Sequence, residues 1–165
     1  MKDPLTKIEA NLWSAGISPD KYPDGAFQNH LLEQYKLYVE MADRISQRRG
    51  TANTFFLTVN TAIIGALGTF IKDVPRPAFL AFVFAAIVLC CVWIGLIQSY
   101  RNLNSAKFKV IGALERKLPA SPYWSVEWTA LGRGEKRKLY IPLTALEPYV
   151  PLAFIAAYIF LIFCL

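Results

Sequence analysis

Three long stretches of the chain contain no charged residue, and they carry the first structural prediction. Residues 51–71, 77–100 and 149–165 lack Asp, Glu, Lys and Arg altogether. A helix that crosses a membrane needs about 20 predominantly apolar residues, with a range of roughly 17–25. The pattern therefore predicts spans at 51–71, 78–100 and 149–165, the last of them barely long enough to cross.

The segments beside the first two predicted spans are polar, but their apolar residues recur with a helical period. Residues 27–50 carry such a stripe, and residues 101–118 repeat it up to Pro119. Proline disfavours helical geometry in the residue before it, so the second stripe should end at 118. Each of the first two spans is therefore expected to continue as a helix beyond the membrane.

The distribution of basic residues predicts which side these extensions occupy. Residues 1–52 carry seven Lys or Arg and residues 101–147 carry nine, against two in the turn at 72–76. Segments rich in Lys and Arg remain on the cytoplasmic side of a membrane. The N-terminus and residues 101–147 should therefore be cytoplasmic, with the 72–76 turn and the C-terminus external.

Together these patterns predict an all-α membrane protein. Its fold would be a long antiparallel transmembrane helical hairpin that extends into the cytoplasm, plus a third C-terminal transmembrane helix. The expected layout is an N-terminal cytoplasmic segment at 1–26, a cytoplasmic amphipathic helix at 27–50, a first span at 51–71, an external turn at 72–77, a second span at 78–100, a cytoplasmic helix at 101–118, an interfacial aromatic and basic segment at 119–148 and a third span at 149–165.

The first predicted span is not uniformly apolar. Small and polar residues recur along one face at spacings of four and three, and two asparagines flank them. This face consists of Asn53, Thr54, Thr58, Asn60, Thr61, Gly65 and Gly68. The opposite face, which we expect to contact lipid, consists of Phe56, Val59, Ile63, Leu67 and Phe70.

Two explanations of this polar face remain open. Small residues allow helices to approach closely, and Asn or Thr side chains form hydrogen bonds between them, so the face is suited to helix packing. Polar residues within a membrane also mark conduction paths. Because one three-span chain is too small to enclose a path, this second explanation requires a ring of subunits. Its cytoplasmic mouth would carry cations that favour anions or a nucleotide-like ligand: Arg44, Arg48, Arg49 and Arg101.

Residues 119–148 combine aromatic rings with a basic run at 133–138. Beside a membrane, such rings lie at the headgroup level and the cations face anionic lipid. Basic residues near aromatic ones are also typical of nucleic-acid binding. The neighbouring spans favour the interfacial interpretation, with anionic headgroups as the partner and no nucleic acid.

No arrangement of residues predicts catalysis, a metal or a cofactor. His30 is the only histidine in the chain, and we expect it to be a surface or packing residue. Cys90, Cys91 and Cys164 all lie in predicted spans, where free cysteines act as small hydrophobes. The spans lack the buried ionisable groups that pumps and proton-coupled transporters need. We therefore expect a protein that is not an enzyme.

Two motifs resemble a known family. Residues 32–49 read LEQYKLYVEMADRISQRR and lead into TANTFF, and residues 99–108 read SYRNLNSAKF. Both resemble the RipA family of small bacterial inner-membrane proteins, which are described as octameric. The hairpin with its Arg-Arg entrance is also similar to the broader SLATT group, two-span modules of nucleotide-signalling defence systems that are thought to disrupt membranes.

This resemblance implies a homo-oligomer, an octamer, in the bacterial inner membrane. Our first hypothesis is a channel or a membrane-perturbing assembly that acts in stress response or defence. The alternative is a membrane-anchored scaffold that recruits a cytoplasmic ligand or protein through the helices at 27–50 and 101–118. In the scaffold the polar face of the first span would serve packing alone.

Overall fold

A computed structural model describes residues 6–14, 18–70, 74–131 and 143–163. These residues form helices and no strand, which confirms the all-α class. The helices are α1 (Thr6–Leu12), α2 (Ala26–Phe70), α3 (Arg76–Glu115), α4 (Trp128–Ala130), α5 (Leu143–Leu146) and α6 (Tyr149–Phe163), with a 3-10 turn at Pro19–Lys21 and a π-helical turn at Pro122–Glu127. Part of the predicted external turn, the basic run at 133–138 and Cys164 lie outside the described residues.

Helix α2 is a single helix of 45 residues that includes both the predicted cytoplasmic helix and most of the first predicted span. It begins after a turn in which the Ala26 amide donates to the Pro23 carbonyl at 2.9 Å. Gly25 completes this turn with φ +73, a conformation that glycine adopts without steric cost. Gly50 lies inside the helix and does not interrupt it.

Helix α3 has 40 residues and ends at Glu115, three residues earlier than predicted. Its last turn tightens as the amides of Lys117 and Leu118 donate to the carbonyls of Leu114 and Glu115, both at 3.0 Å. These shorter-range bonds satisfy carbonyls that a helix end leaves without partners. Pro119 then directs the chain away from the helix.

The chain divides into two compact units. Unit 1 comprises residues 1–46 and 102–141, and unit 2 comprises residues 47–101 and 142–165. Helices α2 and α3 each contribute one part to either unit.

In unit 2, α3 packs through positions that alternate in spacings of four and three: Phe79, Val83, Ala86, Cys90, Trp93 and Ile97. Such a period keeps one seam of a helix against its partner. Helix α2 meets it in the antiparallel direction, since Asn53 bonds to Trp93 and Asn60 bonds to Cys90. The rings of Phe56 and Trp93 stack with their centroids 5.6 Å apart.

The expected lipid-facing side of α2 is thereby corrected. Phe56 is 6% exposed and Leu67 is 8% exposed, and Ile63 packs against the same core, so the prediction that these side chains contact lipid is wrong. Large apolar side chains gain as much by packing against another helix as by contacting lipid, and this helix had a neighbour within its own chain.

Helix α6 completes unit 2 and runs in the same direction as α2. Glu147, just before α6, pairs with Arg49 at 3.3 Å, and Tyr158 bonds to Asn60 at 3.0 Å. Both contacts join residues 98 positions apart. Two contacts with the same offset mean that α2 and α6 lie parallel and in a constant register.

Unit 1 has a core of its own, formed by Leu31, Ala42 and Ile45 of α2 with Ile111 and Leu114 of α3. The two helices are antiparallel here as well. The Tyr35 hydroxyl donates to Glu115 at 3.1 Å, and the Lys107 ammonium lies 4.8 Å from the centre of the Tyr38 ring.

The N-terminal segment attaches to the end of α3 through two side-chain contacts. Arg116 donates to Glu9 of α1 at 3.0 Å. The Lys117 ammonium lies 5.6 Å from the centre of the Trp13 ring. The apolar stripes of the predicted cytoplasmic helices are thus covered in part within the chain itself, while Met41 and Leu103 remain 40% and 49% exposed.

Among the described helices, α3 is the one that is long and apolar enough to cross a membrane, while α6 is apolar but shorter. The second half of α2 contains two asparagines and five threonines, which lower its hydropathy. Of the three predicted spans, therefore, the one in α3 is supported by length and composition among the described helices.

Candidate functional site

A buried polar cluster joins the three helices of unit 2. Asn60 is fully buried, and its Oδ1 accepts hydrogen bonds from the Tyr158 hydroxyl at 3.0 Å and from the Cys90 thiol at 3.2 Å. Its Nδ2 donates to the Phe56 carbonyl at 2.8 Å. Every polar atom of the Asn60 side chain thus has a partner, so the cluster fixes helix positions and leaves no free ligand-binding group.

Asn53 lies one heptad before Asn60 and has a similar role. Its Oδ1 accepts a hydrogen bond from the indole N–H of Trp93 at 2.8 Å. Both asparagines therefore lie on the side of α2 that faces α3, away from the exposed stripe with which the sequence grouped them. For these two residues the structure places the amide groups in helix packing within one chain.

The remaining members of the predicted polar face form a continuous exposed stripe, which we call the α2 stripe: Thr54, Thr58, Thr61, Gly65 and Gly68. The hydroxyls of Thr54 and Thr58 donate to the carbonyls four residues earlier, at 3.1 Å and 2.9 Å. A side chain added at Gly65 or Gly68 would meet no atom within 4 Å. The stripe is therefore a smooth, internally hydrogen-bonded surface that no part of the described chain covers.

The other exposed faces of unit 2 have a different character. The outward side chains of α3 include Phe82 and Phe84, which are 62% and 69% exposed, and those of α6 include Phe160 and Phe163, which are 66% and 83% exposed. Phe55 and Leu57 lie beside the α2 stripe on its own helix. Large apolar side chains suit lipid, while small residues allow another helix to approach closely.

The four arginines of the predicted cytoplasmic mouth are not equivalent. Arg44 donates to Glu40 one turn away at 2.6 Å, in a pair whose side chains are both more than half exposed. Arg49 pairs with Glu147 at 3.3 Å, with only 14% and 19% of the two side chains exposed. Arg48 and Arg101 are exposed and form no ion pair with any described residue. Two of the four guanidinium charges are therefore compensated by carboxylates.

Unit 1 contains a buried carboxylate that the sequence reasoning missed. Glu115 is 1% exposed and accepts hydrogen bonds from the Tyr35 hydroxyl at 3.1 Å and the Ser121 hydroxyl at 2.7 Å. It also accepts from the backbone amides of Tyr123 and Trp124 at 3.1 Å and 2.9 Å. A buried carboxylate is tolerated when such donors replace its water.

This network also changes the chemistry of Tyr35. Burial raises the pKa of the Tyr35 hydroxyl, and its hydrogen bond to the Glu115 carboxylate raises that pKa further. The hydroxyl therefore keeps its proton for the bond to Glu115. No sequence pattern marks Glu115, because its four donors come from two separate segments that meet only in the folded unit.

Of the other residues considered in the sequence, His30 lies 5.9 Å from the centre of the Tyr22 ring, as a packing residue would. Cys90 is buried and Cys91 exposed, both as free thiols. In the described part of the chain, no group of three or more His, Cys, Asp or Glu side chains is arranged to hold a metal ion.

The comparisons with known proteins give one match. A model of the octameric membrane protein family (8xMP) matches residues 32–165, which include α2 from its second turn, α3 and α6. No curated protein and no solved structure matches the chain significantly. The match leaves residues 1–31, with α1 and the 3-10 turn, outside the family region.

Proposed function

The chain belongs to the octameric membrane protein family, and we propose that its octamer is a ring in the bacterial inner membrane that encloses an aqueous path. The assembly would act as a channel or by perturbing the membrane, without catalysis. A use in stress response or defence rests on the resemblance to SLATT modules alone.

The protomer would cross the membrane three times, through the second half of α2, the first part of α3 and α6. Asn60, Cys90 and Tyr158 lie near the middle of the three charge-free stretches, and Cys90 and Tyr158 both donate to Asn60. Helices whose middle residues are in contact lie at one depth in the bilayer. Because α6 shares the direction and register of α2, its described end at Phe163 would approach the side that α2 reaches.

The observation that carries the proposal is the contrast between the exposed faces of unit 2. The outward faces of α3 and α6 are large and apolar, whereas the α2 stripe is small and partly polar. Lipid would contact the first kind of surface, and neighbouring copies or water the second. In the proposed ring, α2 would then lie nearest the axis, with Thr54, Thr58 and Thr61 facing it.

Any electrostatic preference at the cytoplasmic mouth would depend on the cations that lack a carboxylate partner. Arg44 and Arg49 are compensated by Glu40 and Glu147. Arg48 remains exposed on α2 and forms no ion pair with a described residue. Eight copies of such a residue around an opening would favour anions.

The proposal is tested by measuring ion and small-dye flux in liposomes that contain the purified octamer, with and without a nucleotide-rich cytosolic extract. Wild-type protein should release the contents. Thr58→Leu should reduce the flux strongly, because a ring of eight leucines forms a hydrophobic constriction that excludes water. The matched control is Phe84→Leu on the outward face of α3, which should leave the flux unchanged.

Two results would contradict the proposal in different ways. Unchanged flux through an intact Thr58→Leu octamer would remove the α2 stripe from the axis. Wild-type liposomes that remain tight under both conditions would exclude the aqueous path. That second result would favour the scaffold, in which the stripe serves packing and unit 1 recruits a cytoplasmic partner.

A further inference from the structure

Unit 1 presents two apolar surfaces that no described residue covers. The first, the α2 patch, consists of Leu37 and Met41, one helical turn apart and 55% and 40% exposed. The second, the turn patch, consists of Phe108 at 39% exposure, Tyr123 at 36% and Val126 at 66%. The rings of Phe108 and Tyr123 pack edge to face, with their centroids 6.5 Å apart and their planes at 60°, so the turn patch is one surface.

The turn patch is held rigidly. The buried Glu115 carboxylate accepts the backbone amides of Tyr123 and Trp124 and the Ser121 hydroxyl, which fixes the start of the π-helical turn. Trp124 then lies flat against α3 where Gly112 leaves room, since a Cβ at that position would lie 2.7 Å from the indole ring. A surface that is already ordered loses less entropy when it binds a partner.

The α2 patch has the composition of a small interface. Leu37 lies between two exposed ion pairs, Glu33–Lys36 at 2.8 Å and Glu40–Arg44 at 2.6 Å. An apolar centre with a charged rim is the usual arrangement where two protein surfaces meet.

A closed ring of identical subunits is formed by head-to-tail contacts, in which one surface of each copy meets a different surface of the next. Unit 1 has two such surfaces on different elements. We infer that the α2 patch of one copy docks on the turn patch of the adjacent copy, so that the buried Glu115 carboxylate acts as the organiser of an intersubunit interface. The inference rests on the proposed ring and names the surfaces that close it on the cytoplasmic side.

The test is disulfide cross-linking of octamers that carry Leu37→Cys and Val126→Cys in the same chain. Adjacent copies should then be linked head to tail, which gives a ladder of covalent multimers up to eight. Each single variant and the wild-type chain should give no ladder. The matched control is Leu103→Cys with Val126→Cys, since Leu103 is a 49% exposed leucine of unit 1 that belongs to neither patch.

A second measurement separates docking from a role in lipid binding. Glu115→Gln leaves both patches intact but replaces one of the carboxylate oxygens that accept these hydrogen bonds by an amide donor. It should therefore weaken the cross-linked ladder and shift the octamer to smaller species in native mass measurements. Val126→Asp should do the same. If both variants remain fully octameric and only bind anionic vesicles less tightly, the turn patch is a lipid-contact surface and the inference is overturned.

The remaining outcomes are equally decisive. Equal ladders from the Leu37 and Leu103 pairs, or no ladder from an octamer of intact mass, would also overturn the inference. A wild-type chain that forms no octamer in the membrane would instead overturn the proposed ring. Tight liposomes with a normal ladder would remove the aqueous path and leave the docking surfaces in place.

Discussion

Two buried polar residues, Asn60 in unit 2 and Glu115 in unit 1, hold together segments that are far apart in sequence. Each is satisfied by side-chain or backbone groups of other segments, at 2.7–3.2 Å for the bonds from Cys90, Tyr158, Tyr35, Ser121, Tyr123 and Trp124. Buried polar groups stabilise one arrangement specifically, because any other arrangement would leave them without partners. We therefore expect substitution of either residue to weaken the packing of its unit, and any change in flux to follow from that weakened packing.

The first prediction concerns the coupling between Asn60 and Tyr158. Asn60→Leu removes the side-chain acceptor of the Tyr158 hydroxyl, which also contacts the Asn60 backbone carbonyl at 3.3 Å, and should destabilise the protomer. Tyr158→Phe should then cost less in the Asn60→Leu chain than in the wild type. A double-mutant cycle measured by unfolding in mixed micelles should give a coupling of about 0.6 kcal/mol, with an upper value of about 1.7 kcal/mol. Thr61→Val on the exposed stripe is the control and should be nearly neutral. Additive effects of the two substitutions would contradict the hydrogen bond.

The second prediction concerns pH. The folded pKa of Tyr35 is raised above its unfolded value of about 10, so the proton on its hydroxyl contributes stability fully below that pH. This contribution should be lost as the pH rises toward the folded pKa. The difference in tyrosinate absorbance between wild type and Tyr35→Phe should show a group that titrates well above pH 10. Tyr22→Phe is the control, and an ordinary titration of Tyr35 would refute its bond to Glu115.

At the scale of elements, α2 and α3 are long helices that each have one buried side and one exposed side. The buried positions of α3 keep spacings of four and three from Phe79 to Ile97, and Ile111 and Leu114 fall on the same row. A seven-residue period keeps a seam in contact over many turns only when the helices wind around each other. The period therefore explains how α2 and α3 remain paired within each unit.

The third prediction concerns the contact between α3 and the turn at Pro122–Glu127. Gly112→Ala should displace the Trp124 ring, because the added Cβ would lie 2.7 Å from it, and overpacking of this kind costs about 1–3 kcal/mol. The loss should appear in the unfolding free energy and in tryptophan fluorescence. Gly95→Ala on the same helix has open space within 4 Å and is expected to be neutral or stabilising. Equal effects at both glycines would exclude a specific role for the Trp124 contact.

At the scale of the whole molecule, membership of the octameric membrane protein family means that the protomer works as one of eight copies. Surfaces that remain open in one chain are then positions where a neighbour, lipid or water is expected. The α2 stripe and the two patches of unit 1 are small or apolar surfaces of this kind. The α2 stripe differs in chemistry from the outward faces of α3 and α6, and the two patches of unit 1 are apolar surfaces outside the predicted spans. We therefore assign the stripe to the axis of the proposed ring and the patches to contacts between its subunits.

The fourth prediction concerns topology. Because α6 runs parallel to α2 and α3 runs antiparallel to it, three crossings would place the two chain ends on opposite sides of the membrane. A fluorescent-protein fusion at the N-terminus should be active in the cytoplasm, and an alkaline phosphatase fusion at the C-terminus should be active outside it. An alkaline phosphatase fusion after Leu131, in unit 1, is the control and should be inactive. An inactive C-terminal phosphatase would exclude a crossing by α6.

The sequence alone determined the features that follow from the order of residues along the chain. Charge-free stretches and a helical period are visible without any contact, and they predicted the all-α class and two helices longer than a span, found at Ala26–Phe70 and Arg76–Glu115. The motifs at 32–49 and 99–108 gave the resemblance to the family that the match over residues 32–165 confirms. A tyrosine hydroxyl within the apolar run of α6 was a further signal of a buried partner, since buried tyrosine hydroxyls find one.

Only the tertiary structure decided which side of each helix meets which neighbour. A repeat of four and three gives the spacing of a seam but not the identity of the surface that covers it. For this reason Asn60 was grouped with the exposed threonines, although it faces Cys90 and Tyr158, and Phe56 was assigned to lipid, although it stacks on Trp93. Glu115 was invisible because a carboxylate becomes stable in a core only when donors from distant segments converge on it, and that convergence exists only in the folded chain.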